Sequence, residues 1–191
     1  MNVYDFDKTI YDGDSTIDFW IYCLKKHPLS IRRIPGAVLA FVSFKLGLIN
    51  REKFKERFYR FLKDIADCES EVKAFWDKNI KKIKSWYLSQ RKDTDVVISA
   101  SPDFIISEIC ARLNVDSIAS KVDSKTGVLL SKNCRGSEKV NRFYENYPNA
   151  AIENFYSDSE SDIALAEIAE NAFLVKNNRV TKWKLNKNKK V

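Results

Sequence analysis

The apolar positions of this chain follow two different periods, and the change comes near residue 90. Between residues 14 and 88 they recur every three or four residues. "STIDFWIYCLKK" sets Ile17, Trp20, Ile21 and Leu24 at i, i+3, i+4 and i+7. "REKFKERFYRFLKDI" sets Phe54, Phe58, Phe61 and Leu62 at i, i+4, i+7 and i+8, and "SEVKAFWDKNIKKIKSWYLSQ" continues with Val72, Phe75, Trp76, Ile80, Ile83 and Tyr87. This spacing predicts amphipathic helices, whose aromatic stripes are expected to form the core of a small bundle.

From residue 95 onward, short apolar runs alternate with helical stretches. "DVVIS" (95–99) has the compact form of a buried parallel strand. "SPDFIISEICARL" reads as a helix capped by Ser101 with Pro102 at its first position. "SIASKVDSKTGVLL" suggests two short strands turning near Gly127. Then follow the helix "GSEKVNRFYENY", the strand "AIENFYS" (151–157), the helix "ESDIALAEIAENA", the strand "FLVKN" and an edge in "RVTKWKL". Strands alternating with helices indicate an α/β domain with a parallel sheet. The opening "NVYDF" (2–6) is a strand with no nearby partner, so it is expected to join that sheet. The predicted architecture is α/β, a Rossmann-like parallel sheet core of residues 1–13 and 89–191 interrupted by an all-helical insertion at 14–88.

Composition narrows the chemistry. With 191 residues and 45% hydrophobic content, one well-packed domain with a smaller appendage is affordable. Cys23, Cys68, Cys110 and Cys134 are far apart and carry no zinc-like spacing. Reduced, mostly buried thiols in a cytoplasmic protein are expected, with no signal peptide at the strand-like N-terminus. The single histidine, His27, leaves little room for a Ser-His-Asp triad. Any catalysis must therefore lean on carboxylates. The net charge of +7 is uneven. Residues 14–84 hold sixteen Lys or Arg against nine Asp or Glu, and residues 176–191 hold seven cations and no acid. A basic tail is most simply a solvated end and thin support for a nucleic-acid partner.

The candidate chemistry sits at predicted strand ends, where open α/β sheets bind ligands. The first strand delivers Asp5, Asp7 and Thr9; "DVVIS" delivers Ser99 and Ser101; "GSEK" delivers Lys139; "FYS" delivers Asp158 and then Asp162. Asp5 and Asp7, separated by one phenylalanine, raise each other's pKa unless a cation compensates. Lys139 opposes the dipole at the start of its helix, so its position asks for a reason. Carboxylates like these can hold a hard divalent cation such as Mg²⁺ together with a substrate phosphate. Asp5 can attack phosphorus, and Asp7 can protonate the leaving oxygen and then activate water.

"DFDKT", "ISAS", "GSEK" and "SDSESD" resemble the four motifs of the haloacid dehalogenase (HAD) superfamily, in order, and the helical insertion resembles the cap of its phosphoserine-phosphatase-like branch. The resemblance covers nearly the whole chain. It implies a Mg²⁺-dependent phosphatase acting on a small phosphate monoester through an aspartyl-phosphate on Asp5, with Asp7 as acid/base. It implies metal ligation by the Asp5 carboxylate, the Asp7 carbonyl and Asp158, with Thr9, Ser101 and Asp162 in support. Ser99, Ala100 and Lys139 would contact phosphate. Dehalogenases of the superfamily lack the second motif-one aspartate, so Asp7 points to phosphate chemistry. Lys8 and Ser157 stand where many relatives have glycine.

Several readings stay open. Ser101 is also a plain helix cap, Asp162 a capping-box partner of Ser159, and Lys139 a surface lysine. Asp14 is either the helix cap in "GDST" or, as in relatives, a contact for a substrate amine, while Asp12 reads as turn chemistry. "RRIPGAVLAFVSFKLGLI" contains a charge-free run, Ile34 to Phe44, too short to span a bilayer. A buried bundle helix is its commoner meaning. Flanked by Arg32, Arg33 and Lys45, it can also lie on an anionic membrane surface; with "IASKV", "CRGSEK" and "YSDS" it resembles the phosphatidylglycerophosphatases of the same superfamily. A peripheral enzyme of that kind and a catalytically silent phosphate-binding protein are the alternatives.

Overall fold

The computed structural model describes residues 1–185. Tail cations Lys187, Lys189 and Lys190 fall outside them. Strand β1 (Asn2–Tyr4) is followed by five helices: α1 (Ser15–Lys26), α2 (Ile34–Lys45), α3 (Arg51–Phe58), α4 (Cys68–Asn79) and α5 (Ser85–Gln90). Then come β2 (Val96–Pro102), α6 (Asp103–Arg112), β3 (Asp116–Ser120), α7 (Ser137–Asn146), β4 (Asn154–Ser157), α8 (Ile163–Ile168), β5 (Asn171–Lys176) and β6 (Arg179–Lys182). The six strands form one sheet in the order β3-β2-β1-β4-β5-β6, parallel except for the antiparallel edge β6. The expected α/β architecture is therefore present, with β1 paired to strands that lie more than 90 residues away.

Alternation along the strands explains why they read as continuous apolar runs. Val3, Val96 and Ile98 pack on one face with Phe143, Phe155 and Leu165; Tyr4 and Val97 pack on the other with Ile105, Ile106 and the helical segment. Both faces are covered, so successive positions are all buried. Strands β2 and β3 are added on one side of β1 and β4 and β5 on the other, and this switch in strand order between the parallel β1 and β4 opens a crevice at the strand carboxyl ends. Residues 10–12 and 82–84, which lead into and out of the helical segment, run side by side. The Lys84 N–H donates to the Ile10 carbonyl at 2.8 Å and the Asp12 N–H to the Lys82 carbonyl at 2.8 Å. Gly127, at φ +76°, packs against the Tyr59 backbone, where an added Cβ would come within 2.6 Å. Only glycine fits that turn.

Local expectations were revised in four places. In α1 the buried face is Thr16, Phe19 and Cys23; Ile17 and Ile21 are exposed. Phe19 meets Phe61, Phe75 and Phe104, and this aromatic cluster sets the helix rotation. Strand β2 continues through Pro102, so Ser101 is a strand residue and caps nothing; helix α6 begins at Asp103 without a side-chain cap. "SIASKVDSKTGVLL" yields one strand and an isolated antiparallel pairing of Val122 with Leu129. Helix α2 buries only Ala37 and Ala40, while its larger Val38, Leu39, Phe41 and Val42 are exposed. All four cysteines are free and buried. No helix among the described residues is long and apolar enough to cross a membrane.

Candidate active site

The groups that the sequence scatters over 158 positions meet around the β1/β4 crevice. Asp5 follows β1 directly, and its N–H donates to the Tyr156 carbonyl of β4 at 2.8 Å. The Thr9 hydroxyl donates to Asp5 Oδ2 at 3.1 Å and accepts from the Asp158 N–H at 2.9 Å, so one side chain ties the first strand end to the fourth. Lys139 stands in the first turn of α7 and is almost fully buried. Its Nζ donates to Asp5 Oδ1 and to Asp162 Oδ2, both at 2.7 Å. Two carboxylates answer the question its unfavourable helix position raised. The surface-lysine reading is therefore wrong. Asp162 is equally committed, accepting also from the Ser157 hydroxyl at 2.9 Å, while the turn's capping bond runs from the Ser161 N–H to Ser159. The Ser157 hydroxyl thus helps hold Asp162 in place.

Burial works against the charge on Lys139, but Asp5 and Asp162 outweigh it and hold the ammonium above the usual lysine range. Burial also drives the Asp5 pKa upward; Lys139 pulls it back and Asp162 pushes it further up, leaving it raised. Asp7 is half-buried. Its Oδ1 accepts the Ser15 N–H at 2.6 Å, the first residue of α1, and its Oδ2 accepts the Ser101 hydroxyl at 2.5 Å. Desolvation, then the nearby Asp14, raise the Asp7 pKa, and the two hydrogen bonds only partly offset this. A group poised this way suits proton transfer near neutral pH. Asp158 is likewise raised by burial, with Lys8 opposing.

Ser99 is buried, and its hydroxyl oxygen accepts the Ser101 N–H at 3.1 Å. The Ala100 carbonyl accepts from Lys55 Nζ at 2.6 Å and from the Ser120 hydroxyl at 2.9 Å. Asp14 caps α1 by accepting the Ile17 N–H at 3.1 Å, and it also lines the cavity. Asp12 is exposed and takes no part. Lys8 lies at φ +59°, a left-handed conformation that glycine adopts without strain.

The cavity enclosed by these residues measures about 410 Å³. Sequence reasoning missed one wall of it. Arg51, Phe54, Lys55 and Phe58 reach in from α3, and Asn133 and Arg135 from the loop before α7. Lys55 Nζ also donates to Asn133 Oδ1 at 2.5 Å, and the Asn133 N–H donates to Glu52 at 3.2 Å, so α3 is clasped to the sheet side. Burial, with Arg51 next, lowers the Lys55 pKa to about 8. One signal was available: Arg51 and Lys55 are like charges at i, i+4, a destabilising pair unless an anion is meant to meet it.

Among the described residues no three His, Cys, Asp or Glu side chains converge enough to hold a metal alone. Asp5, Asp7 and Asp158 do line the cavity together, and oxygen donors of this kind would suit Mg²⁺, which keeps much of its water and takes a substrate phosphate as a further ligand.

Fold and site together define a parallel α/β protein with a carboxylate–lysine centre at the sheet's switch point. The profile of the haloacid dehalogenase-like hydrolase family matches residues 3–167, and the chain belongs to that family. No curated protein matches the sequence. Among solved structures, a protein of unknown function from Bordetella pertussis Tohama I is similar at a TM-score of 0.73 and 18% identity, over 90% of this chain and 87% of that one. A phosphoserine phosphohydrolase-like protein from Francisella tularensis subsp. tularensis SCHU S4 is similar at 0.53 and 13%, over 90% and 86%. A phospho-aspartyl intermediate analogue of phosphoserine phosphatase is similar at 0.51 and 16%, over 89% and 83%. At these identities the likeness concerns the fold.

Proposed function

We propose that this protein is a Mg²⁺-dependent phosphatase that hydrolyses a phosphate monoester through an aspartyl-phosphate on Asp5. The observation that carries the reading is the pairing of Asp5 with a buried Lys139 while a second carboxylate, Asp7, is held by Ser15 and Ser101. Asp5 attacks phosphorus with a carboxylate oxygen as the ester oxygen departs, and Asp7 donates its proton to that oxygen. Asp7, now ionised, takes a proton from water, and the water oxygen attacks the acyl phosphate. Inorganic phosphate leaves, Asp5 is again a carboxylate and Asp7 is again protonated. Lys139 and Ser99 hold the phosphoryl oxygens, since positioning and charge stabilisation dominate such transfers. Mg²⁺, held by Asp5, the Asp7 carbonyl and Asp158, would add charge neutralisation as phosphate binds.

Residues 14–88 act in this reading as a cap over the discontinuous core of 1–13 and 89–191. Its clasp, Lys55 on Ala100 and Asn133, keeps water from the acyl phosphate until the leaving group has gone. A silent phosphate binder would need no acid/base, so the hydrogen-bonded Asp7 favours chemistry. Asp14 and the cations of α3 line the space left for the leaving group, whose soluble or lipid nature a panel of phosphate esters decides. Turnover of a chromogenic phosphate ester with Mg²⁺, lost on chelation and in Asp5→Asn, is the expected result. No turnover, or turnover undiminished in Asp5→Asn, would sink the mechanism.

A further inference from the structure

We propose that the outer face of helix α2, with the turn Pro28–Arg33 before it, docks on the surface of an anionic lipid bilayer. The helix is built the reverse of a soluble one. Its inward positions are the small Ala37 and Ala40, while Leu39 is 65% exposed, Val38 55% and Phe41 48%. Leu29, at 74%, extends the face on one side, and Leu46 and Leu48, at 68% and 72%, extend it on the other. A helix that is apolar all round and still on the outside needs an apolar neighbour.

Charge selects that neighbour. No acidic residue occurs between Asp18 and Glu52, whereas six cations do. Arg32 and Arg33 pair with Asp64, and Lys26 pairs with Glu71. Lys25, Lys45 and Arg51 have no ion pair among the described residues. Lys45 Nζ lies 5.5 Å from the Phe41 ring centre, and the Arg51 guanidinium 5.1 Å from that of Phe44, so cations flank the aromatic rings at the edge of the apolar face. A second copy of the chain fits poorly, because a two-fold contact would set these cations against their own counterparts. Acyl chains with anionic headgroups satisfy both features at once, and twelve residues suit a helix lying in the interface rather than crossing it. The face also adjoins the cavity: Phe54, which lines it, packs on Phe44 and Phe41 with ring centres 5.3 and 6.0 Å apart.

Docking is scored without turnover, so it stands or fails apart from the phosphatase reading. The full chain is floated with vesicles of phosphatidylcholine alone or mixed with phosphatidylglycerol. Binding to the mixed vesicles only, weakened by salt, is expected. Leu39→Asn with Leu46→Asn should lower it about tenfold or more with an unchanged melting temperature. Three results would overturn the proposal. One is no binding to the mixed vesicles, and another is binding untouched by the double variant. The third is a dimer in light scattering that the double variant dissolves, which would assign the face to a second copy.

Discussion

The two walls of the cavity are built on opposite principles. On the sheet side, Asp5, Lys139 and Asp162 are buried and each is satisfied by the others, by Thr9 or by Ser157. On the helical side, Arg51, Lys55 and Arg135 crowd one another, with no carboxylate ion-paired to any of them among the described residues. The first arrangement stores no unmet demand and fixes atoms in place, which reaction geometry requires. The second leaves positive charge for an incoming anion to satisfy. Under the proposed mechanism, the contrast separates reaction, on the strand ends and Lys139, from recognition, on α3 and the loop before α7.

Substitutions can break this contrast. The largest effect is expected from Lys139→Met, which strands two buried carboxylates and should cost about 3–5 kcal/mol of unfolding free energy in urea titration. Adding Asp162→Asn should restore part of that loss. Full additivity of the two changes would show that the network is not coupled. Next, Ser101→Ala removes the hydroxyl that orients Asp7. A fall in kcat of about tenfold, or ~1.4 kcal/mol, with KM little changed is expected.

Lys55 tests the other wall. Its pKa is lowered to about 8 by burial, then by Arg51, with Arg135 acting the same way and Asp7 and Asp14 opposing. Below that pH it is a cation and helps bind anionic substrate; above it the charge is lost. The wild-type kcat/KM should therefore fall as pH rises past about 8, and Lys55→Gln should show a KM raised about tenfold and lack this break. The smallest effect concerns Lys8. Glycine removes its left-handed strain, and Lys8→Gly should gain about 1 kcal/mol of stability, read by thermal unfolding.

The same division decided what the sequence could reveal. Strand-end residues were legible because each follows a compact apolar run, and a charged group directly after such a run has few other reasons to be there. Asp5, Asp7 and Asp158 stood out this way, and Lys139 by opposing the dipole at the start of its helix. Arg51, Lys55 and Asn133 did not, because they lie on a helix surface or in a loop and converge only through tertiary packing. Helix rotation failed for a related reason. In α1 the larger aliphatic side chains of Ile17 and Ile21 outweighed Thr16 and Cys23, although Phe19 and its aromatic partners set the buried face. In α2 an apolar run signalled burial, yet only its alanines are buried. Ser101 was misread because β2 runs past the point where Pro102 suggested a helix start.

The most direct test of the account is to find the phosphoryl group. The protein is mixed with a phosphate ester and Mg²⁺, quenched in acid, and its N-terminal peptide is examined by mass spectrometry. A phosphoryl adduct on Asp5, absent in Asp5→Asn and gone once substrate is exhausted, is the predicted result. Sustained turnover with no adduct, or with the adduct on any other residue, would contradict it.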